Sequence, residues 1–163
     1  GTIPTRVTHN DTKINNILID RQGEVLCAID LDTVMASTSL NDFGDAIRSY
    51  ANTGDEDDRD LSRVGLSLEM FRAYTEGYLS QRAKQLTDSE IHHLAFSARY
   101  ITFEQVLRFL MDYIDGDTYY KVKYPGHNLV RTHAQYRLLQ SMEEHYGEMC
   151  RIVRETVDKY RKA

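Results

Sequence analysis

The sequence predicts a mainly α protein with one small β-hairpin, and two observations support this fold class. Two short apolar runs, at 16–19 and 25–29, flank the turn-forming segment 20–23, which is typical of a hairpin. From residue 42 onward apolar residues recur three and four positions apart, the spacing of amphipathic helices. A chain of 163 residues can bury one core, so we expect a single domain.

Four helical segments are expected after the hairpin. The first takes Asp42 as its N-cap, and the second runs from about residue 66 to 83. The third begins at 87–90, where a threonine is followed three residues later by glutamate, the spacing of a capping box. After a turn at 124–126, a last amphipathic helix carries the apolar residues from 139 to 160.

Composition narrows the classes of function. A net charge of −5 lacks the basic surplus that would neutralise a phosphate backbone, so no nucleic-acid partner is expected. No apolar run approaches the roughly 18 residues of a transmembrane helix, and residues 1–20 do not resemble a signal peptide. We therefore expect a cytoplasmic protein without a membrane partner. Cys27 and Cys150 are interpreted as buried thiols and not as a disulfide pair.

The segment from His9 to Asn16 carries the strongest chemical signal. His9, Asp11 and Asn16 fit the pattern HxDxxxxN of a kinase catalytic loop, in which the aspartate accepts the substrate hydroxyl proton and the asparagine binds magnesium. A chance match in a chain of this length has a likelihood on the order of one in a hundred. The motif therefore needs support from its surroundings.

That support comes from Asp30, which the second hairpin strand delivers directly after its apolar run. Folding the hairpin about Gln22 places Asp30 opposite Ile14 and diagonal to Asn16, a backbone separation of about 7–8 Å. Mg²⁺ takes oxygen ligands and usually only one or two carboxylates besides phosphates and water. The pattern therefore predicts Asp11 as the catalytic base and Asn16 and Asp30 as magnesium ligands.

These segments allow two other interpretations. His9 could be a loop histidine, Asp11 a turn residue and Asp30 a cap at the strand end. The segment 42–44 spells Asp-Phe-Gly, the magnesium-binding triplet of protein kinases. Because helical spacing follows it, Asp42 is interpreted as an N-cap and not as a metal ligand.

Together these segments resemble the aminoglycoside phosphotransferase and choline kinase superfamily, whose catalytic loop reads HGDxxxxN and is followed by an Ile-Asp motif and an Asp-centred helix start. The resemblance is carried by residues 9–16, 29–33 and 41–48 and is weaker over 98–128. Asn10 replaces the usual glycine, a departure that is similar to the branch of N-acetylhexosamine 1-kinases.

The resemblance implies the C-terminal lobe of the protein-kinase-like fold over residues 1–163, with ATP as phosphoryl donor and Mg²⁺ as cofactor. It implies that His9 and Asp42 support the catalytic loop and that the acceptor is a sugar, a hexosamine hydroxyl. Candidate substrate-binding residues are Asp32, Arg99, Arg108, Asp115 and Tyr119. Solvated or ion-paired roles remain equally open for these side chains.

A nucleotide-binding N-terminal lobe is expected to be absent from this chain. Such a kinase needs a phosphate-covering loop, a strand lysine and its glutamate partner, and none is identifiable around the eight residues that precede His9. We expect that lobe of the same protein as a partner and the isolated chain to be nearly inactive. The surface left for docking is expected to promote self-association.

Other functions stay open at this point. The acceptor could be an aminoglycoside, choline or another small alcohol. The chain could be a non-catalytic, kinase-derived interaction module, although intact Asp11, Asn16 and Asp30 argue against it. A metal-dependent hydrolase using Asp11, Asp30 and Asp32 ranks last, because a His-rich or multi-carboxylate ligand set is missing.

Overall fold

A computed structural model describes residues 3–162, in which short strands precede a set of packed helices. The predicted mainly α fold with a small hairpin is confirmed. The strands are β1 Arg6–Thr8, β2 Ile17–Ile19, β3 Val25–Ala28 and β4 Met35–Ser37, and the helices are α1 Ser39–Tyr50, α2 Leu68–Arg82, α3 Asp88–Ile114, α4 His127–Glu144 and α5 Tyr146–Lys162. Within this described range no helix is long and apolar enough to cross a membrane.

The hairpin of β2 and β3 closes on Asp20, whose carboxylate accepts the backbone N–H groups of Gln22 and Glu24, both at 2.9 Å. Gly23 completes the turn with a φ of 90°, a conformation that favours glycine. A second two-stranded antiparallel sheet pairs β1 with β4. The sequence did not predict it, because strands of three residues carry too little periodicity.

A bulge after Leu18 shifts the register of the hairpin. The backbone N–H of Ile29 donates to the carbonyl of Asn16 at 2.9 Å. The expectation that Asp30 lies opposite Ile14 is therefore wrong by one residue, because an extra residue on one strand displaces every later pair. The shift brings Asp30 closer to Asn16 along the ladder.

Apolar side chains of the hairpin are exposed. Val25 and Leu26 are 67% and 64% accessible, and all of β3 is exposed. Cys27 shares this exposure, so its interpretation as a buried thiol is wrong. Within residues 3–162, no element covers either face of this strand.

Helix α1 begins earlier than predicted. Its N-cap is Thr38, whose hydroxyl accepts the backbone N–H of Leu40 at 3.3 Å. Asp42 is therefore not the N-cap and lies within the helix, in its first turn, where a carboxylate complements the helix dipole. The carboxylate of Asp42 instead accepts the backbone N–H groups of His9 and Asn10, and the hydroxyl of Thr38 serves as the cap.

The core is built where α1 lies against α2 and α3. Phe43 is fully buried, and its ring meets Phe71 and Tyr78 edge-on. Gly44 faces α3 so closely that an added Cβ would lie 2.5 Å from the carbonyl oxygen of Ser97. The glycine of the Asp-Phe-Gly triplet therefore serves helix packing.

The later helices follow the prediction with one difference. The capping box at Thr87 and Glu90 is present and the turn before α4 places Gly126 at a φ of 78°. The predicted last helix is broken at His145, which caps α4. Because α4 packs mainly on α3 and α5 packs mainly on α2, one straight helix could not make both contacts.

Candidate active site

The loop between β1 and β2 is held by Asp42 of helix α1. One carboxylate oxygen of Asp42 accepts the backbone N–H of His9 at 3.0 Å, and the other accepts that of Asn10 at 2.7 Å. The hydroxyl of Thr12 donates to the carbonyl of Asp42 at 2.6 Å. Helix α1 thus fixes the backbone on both sides of Asp11, because hydrogen bonds to a carboxylate are among the stronger ones.

Asp11 is held by two side chains of its own loop. The amide nitrogen of Asn16 donates to the carboxylate of Asp11 at 2.8 Å and to its carbonyl at 2.9 Å. Lys13 Nζ lies 2.8 Å from the same carboxylate oxygen. Partial burial alone would lower the pKa of Lys13, but the hydrogen bond and charge of Asp11 raise it. Lys13 therefore stays charged beside Asp11 at neutral pH.

His9 ties the loop to the strand that precedes Asp30. Its Nε2 lies 3.0 Å from the carbonyl oxygen of Ile29, so this nitrogen carries the hydrogen and donates it. The carbonyl of His9 accepts the hydroxyl of Thr33 at 2.6 Å. His9 is thus placed to support the loop, and it does not approach the Asp11 carboxylate through these contacts.

Asn10 occupies a left-handed backbone conformation with a φ of 62°, which non-glycine residues rarely adopt except Asn and Asp. Its amide nitrogen donates to the carbonyl of Thr33 at 3.1 Å, and its amide oxygen accepts the hydroxyl of Thr8 at 3.0 Å. These two contacts stabilise the conformation for which glycine would otherwise be suited.

Asp30 also has a left-handed backbone, with a φ of 63°, and begins a short 3₁₀ turn that contains Asp32. The hydrogen bond that protonated Asp30 donates to Asp32, together with the negative charge of Asp32, raises the pKa of Asp30, and the charge of Asp11 adds to the shift. The hydrogen bond lowers the pKa of Asp32. Carboxylates crowded in this way favour a nearby cation, because like charges disfavour ionisation.

The residues present fit a magnesium ion that is shared with a nucleotide. The amide nitrogen of Asn16 is committed to Asp11, which leaves its amide oxygen as a ligand beside Asp30. No cluster of three or more His, Cys, Asp and Glu able to hold a metal occurs within residues 3–162. Mg²⁺ bound to phosphates needs only one or two protein ligands, so two suffice.

A polar cavity of about 240 Å³ lies between Asp11 and helix α3. Asp45 and Arg48 of α1 line it, and so do Glu104 and Arg108 of α3. Two nitrogens of Arg48 donate to one carboxylate oxygen of Asp45, at 2.8 and 3.0 Å. The cavity therefore offers both donors and acceptors next to the candidate base.

Three of the candidate substrate-binding residues line an adjacent cavity of about 510 Å³ beside α3: Arg108, Asp115 and Tyr119. Arg108 lines both cavities and therefore connects the second one to Asp11. The backbone around Tyr119 is held by buried Asp112, which accepts its N–H at 2.7 Å.

Arg99 and Asp32 lie elsewhere. Arg99 forms an ion pair with Glu143 at 3.1 Å and its guanidinium lies over the ring of Tyr146. Arg108 follows Arg99 by nine positions, which at 3.6 residues per turn places the two on opposite sides of α3. The expectation that Arg99 grips the acceptor is not supported by this placement. Asp32 lies beside Asp30 and lines neither cavity.

Several residues of the site were missed by the sequence analysis. Lys13, Asp45 and Arg48 lie within the segments 9–16 and 41–48 that carry the resemblance, but no role in the site was predicted for them. Asp112 did leave a signal, because it falls on the same helical face as the buried residues Val106 and Phe109. A carboxylate on an apolar face needs hydrogen-bond partners, and here backbone groups supply them.

Comparison with protein families identifies the lobe that carries this site. The sequence profile of the Phosphotransferase enzyme family, APH, matches residues 2–83, half of the chain. The chain belongs to that family. The match spans the catalytic loop, the hairpin, Asp42 and helices α1 and α2, so this phosphotransferase has the C-terminal lobe of the kinase-like fold. Kinases of the family use ATP and Mg²⁺ in general.

The family match ends before helix α3 begins. The residues of the second cavity and the α3 side of the first one therefore lie outside the matched range. Family membership establishes the reaction type of the phosphotransferase and leaves its acceptor to be inferred from the cavities.

Proposed function

We propose that this phosphotransferase transfers the γ-phosphoryl group of ATP to a hydroxyl of a small neutral sugar, an N-acetylhexosamine or a close relative. The observation that carries the proposal is the position of Asp11. Its carboxylate accepts a hydrogen bond from the candidate magnesium ligand Asn16 at 2.8 Å, and Asp11 also lines the 240 Å³ polar cavity. An acceptor in that cavity would present its hydroxyl to the base.

In the proposed reaction Asp11 accepts the proton of the acceptor hydroxyl as its oxygen attacks the phosphoryl group. Asn16 and Asp30 would hold magnesium, which supplies charge stabilisation at the nucleotide phosphates when bound. Lys13, 2.8 Å from Asp11, places a positive charge where negative charge develops during transfer. Asp42 keeps the backbone of the base fixed, which matters because this chemistry depends on positioning.

The charges around the cavity favour a neutral acceptor. Asp11, Asp45 and Glu104 contribute negative charge, and Arg48 and Arg108 balance much of it. An aminoglycoside carries several positive charges and would meet both arginines. Choline would need an aromatic cage without a competing cation.

Tyr119 and Tyr120 form the aromatic group nearest to the cavities, and they do not leave such a cage open. The guanidinium of Arg108 already lies 6.0 and 5.6 Å from their ring centroids. A quaternary ammonium group placed on these rings would be repelled by Arg108. A sugar instead stacks on tyrosine rings and bonds to arginine through its hydroxyl groups.

The exposed hairpin supports the proposal that a nucleotide-binding lobe of the same protein covers it. Its apolar residues are accessible on both faces of β3, and single-sided exposure would suffice for a strand at a solvated surface. Asp30 follows this strand directly, so a lobe docked there would bring nucleotide phosphates to the metal ligands. We accordingly expect the isolated chain to show almost no turnover.

An acceptor screen tests the function. The protein together with its nucleotide-binding lobe is incubated with ATP and Mg²⁺ and with N-acetylglucosamine, N-acetylgalactosamine, kanamycin or choline, and ADP release is measured. Turnover of an N-acetylhexosamine with a kcat/KM at least tenfold above the other acceptors is the expected result. Preference for kanamycin or choline would contradict the sugar, and turnover by the 163-residue chain alone would contradict the need for the lobe.

A second experiment tests the metal ligands without relying on turnover. In the 163-residue chain, Mn²⁺ should broaden the side-chain amide signals of Asn16 in NMR spectra by its paramagnetism. Asp30→Ala should abolish this broadening, and Asp42→Ala should retain it while lowering stability. Glu24→Ala, an exposed carboxylate of the same hairpin, is the control and should leave the broadening unchanged. If only Asp42→Ala abolished the broadening, the metal ligand would be Asp42 and the proposed assignment to Asp30 would be wrong.

A further inference from the structure

Asp45 is a buried carboxylate of which only one oxygen accepts hydrogen bonds. The residue is only 8% accessible, and both bonds from Arg48 go to its Oδ1 atom. Among the described residues its Oδ2 atom is buried and accepts no hydrogen bond. A buried acceptor of this kind is costly to leave without a partner, so its location matters.

The location is the cavity of Asp11. Asp45 lines the 240 Å³ space together with Asp11 itself. Two of its neighbours on this wall have partners of their own: Asn41 donates to Ser37 at 3.1 Å, and Arg48 reaches Glu56 on its far side at 2.8 Å. Asp45 therefore stands out as a wall residue that combines burial with free hydrogen-bonding capacity.

Asp58 offers an internal comparison. It has the same accessibility of 8%, an arginine partner at 3.5 Å in Arg63 and an Oδ2 atom without a hydrogen bond among the described residues. It does not line the cavity of Asp11. The Oδ2 atom of Asp58 is the atom that lies near Arg63. Burial and a missing hydrogen bond therefore do not by themselves mark a binding residue, and the position of Asp45 in the cavity is the decisive difference.

We propose that Asp45 is an acceptor-binding residue whose Oδ2 atom receives a hydrogen bond from a hydroxyl or amide N–H of the substrate. The proposal rests on the proposed function and extends it, because it names a donor group that the acceptor must present at a second point besides the reacting hydroxyl. Arg48 fixes the carboxylate in place through Oδ1 and leaves Oδ2 to the ligand. Two-point contact would orient the sugar so that one hydroxyl faces Asp11.

The role predicts a discrimination that a purely structural carboxylate would not produce. A site built to bond one substrate group rejects analogues that lack it. The 3-, 4- and 6-deoxy analogues of N-acetylglucosamine remove single donors. One of them should bind the wild-type chain about tenfold to hundredfold more weakly than the parent sugar, the range expected for a hydrogen bond to a charged group.

The test titrates N-acetylglucosamine and its deoxy analogues into the 163-residue chain and follows the side-chain carboxyl ¹³C signals of Asp45 and Asp58 by NMR. In the wild type the Asp45 signal should shift with the sugar and the Asp58 signal should not. In Asp45→Asn the affinity for the parent sugar should fall about tenfold or more, and the penalty of the sensitive deoxy analogue should disappear. Asp58→Asn should keep both the wild-type affinity for the parent sugar and the penalty of the sensitive deoxy analogue.

The outcomes separate the two proposals. Sugar binding with an unmoved Asp45 signal, or no binding of any probe, overturns the role of Asp45, and the carboxyl signal decides this even if Asp45→Asn fails to fold. If kanamycin or choline shifts the Asp45 signal and the sugar does not, the binding residue stands and the sugar proposal falls. An equal loss in Asp45→Asn and Asp58→Asn would assign both residues to stability alone.

Discussion

Helix α1 and the hairpin flank the same catalytic loop, but they hold it in opposite ways. In α1 nearly every residue from Ser39 to Arg48 is buried, and Asp42 fixes the loop backbone with two short hydrogen bonds. The hairpin exposes its apolar residues and is joined to the loop through His9 and Ile29. The candidate base Asp11 therefore belongs to the rigid side and the candidate metal ligand Asp30 to the uncovered side.

The difference shows that the two halves of the candidate site are positioned by different parts of the molecule. The position of Asp11 is determined by the packed core, which tolerates little displacement. Asp30 stands at the end of a strand that gains no packing on either face within the described residues. This uncovered side is where the proposed nucleotide-binding lobe would dock, whereas the loop that carries Asp11 is already held by α1.

The largest change in stability should come from a cavity-creating substitution in the core beneath the catalytic loop. Phe43→Ala removes a fully buried ring and should lower the free energy of unfolding by about 3–5 kcal/mol. Leu26→Ala in the hairpin, at an accessible position, should change it by less than about 0.5 kcal/mol. Urea denaturation of both variants measures the contrast. Comparable losses would mean that the hairpin is packed more tightly than its exposure indicates.

The second largest effect should be a loss of stability in acid that arises on the rigid side, at Glu90. Glu90 of α3 is fully buried and bonded by Arg6 of β1 at 2.8 Å, and this contact with Ser39 and Thr87 holds the pKa of Glu90 at about 2 against the effect of burial. Because the folded pKa lies below the ordinary value of 4.5, the stabilisation is complete above that pH. It is lost as the pH falls toward 2.

The expected loss across this window is about 3 kcal/mol, from 1.36 kcal/mol for each unit of pKa shift. Urea denaturation between pH 5 and pH 2 measures it. Glu90→Gln should flatten the acid dependence and lower stability at neutral pH. Glu24→Gln in the hairpin should alter neither quantity, and a similar flattening there would remove the distinction between the two sides.

The smallest of these effects should distinguish two helical glycines. Gly44→Ala places a methyl group 2.5 Å from the Ser97 carbonyl oxygen and should cost about 1–3 kcal/mol by overpacking. Gly77 of α2 has no atom within 4 Å of an added Cβ, so Gly77→Ala should stabilise the chain by about 0.5–1 kcal/mol. Thermal unfolding separates the signs, and a stabilising Gly44→Ala would contradict the close approach of α1 and α3.

Sequence periodicity was sufficient for the helices and the hairpin, because long amphipathic segments and the Asp20 turn depend on local patterns. It could not fix the hairpin register, since the bulge after Leu18 is set by tertiary context. It also misplaced the cap of α1, where Thr38 and Asp42 are both good capping residues. The break at His145 depends on which helices α4 and α5 contact.

The same limit applies to the site. The motif residues Asp11, Asn16 and Asp30 are close in sequence, so local patterns were sufficient to propose them as a group. Asp45 and Arg108 come from helices whose packing is not encoded in a short motif, so their shared cavity is visible only in the folded chain. The sequence could not tell Arg99 from Arg108, because the side of α3 that faces Asp11 is determined by the position of α1.

Asn10 gives the catalytic loop a property that the usual glycine would not. Glycine at a φ near 62° would permit the loop conformation but would also leave the unfolded chain more conformational entropy to lose. Asparagine restricts that freedom and fastens the loop to Thr33 and Thr8. The ordering of the loop is therefore completed when the chain folds, and a substrate that binds later meets a preorganised base.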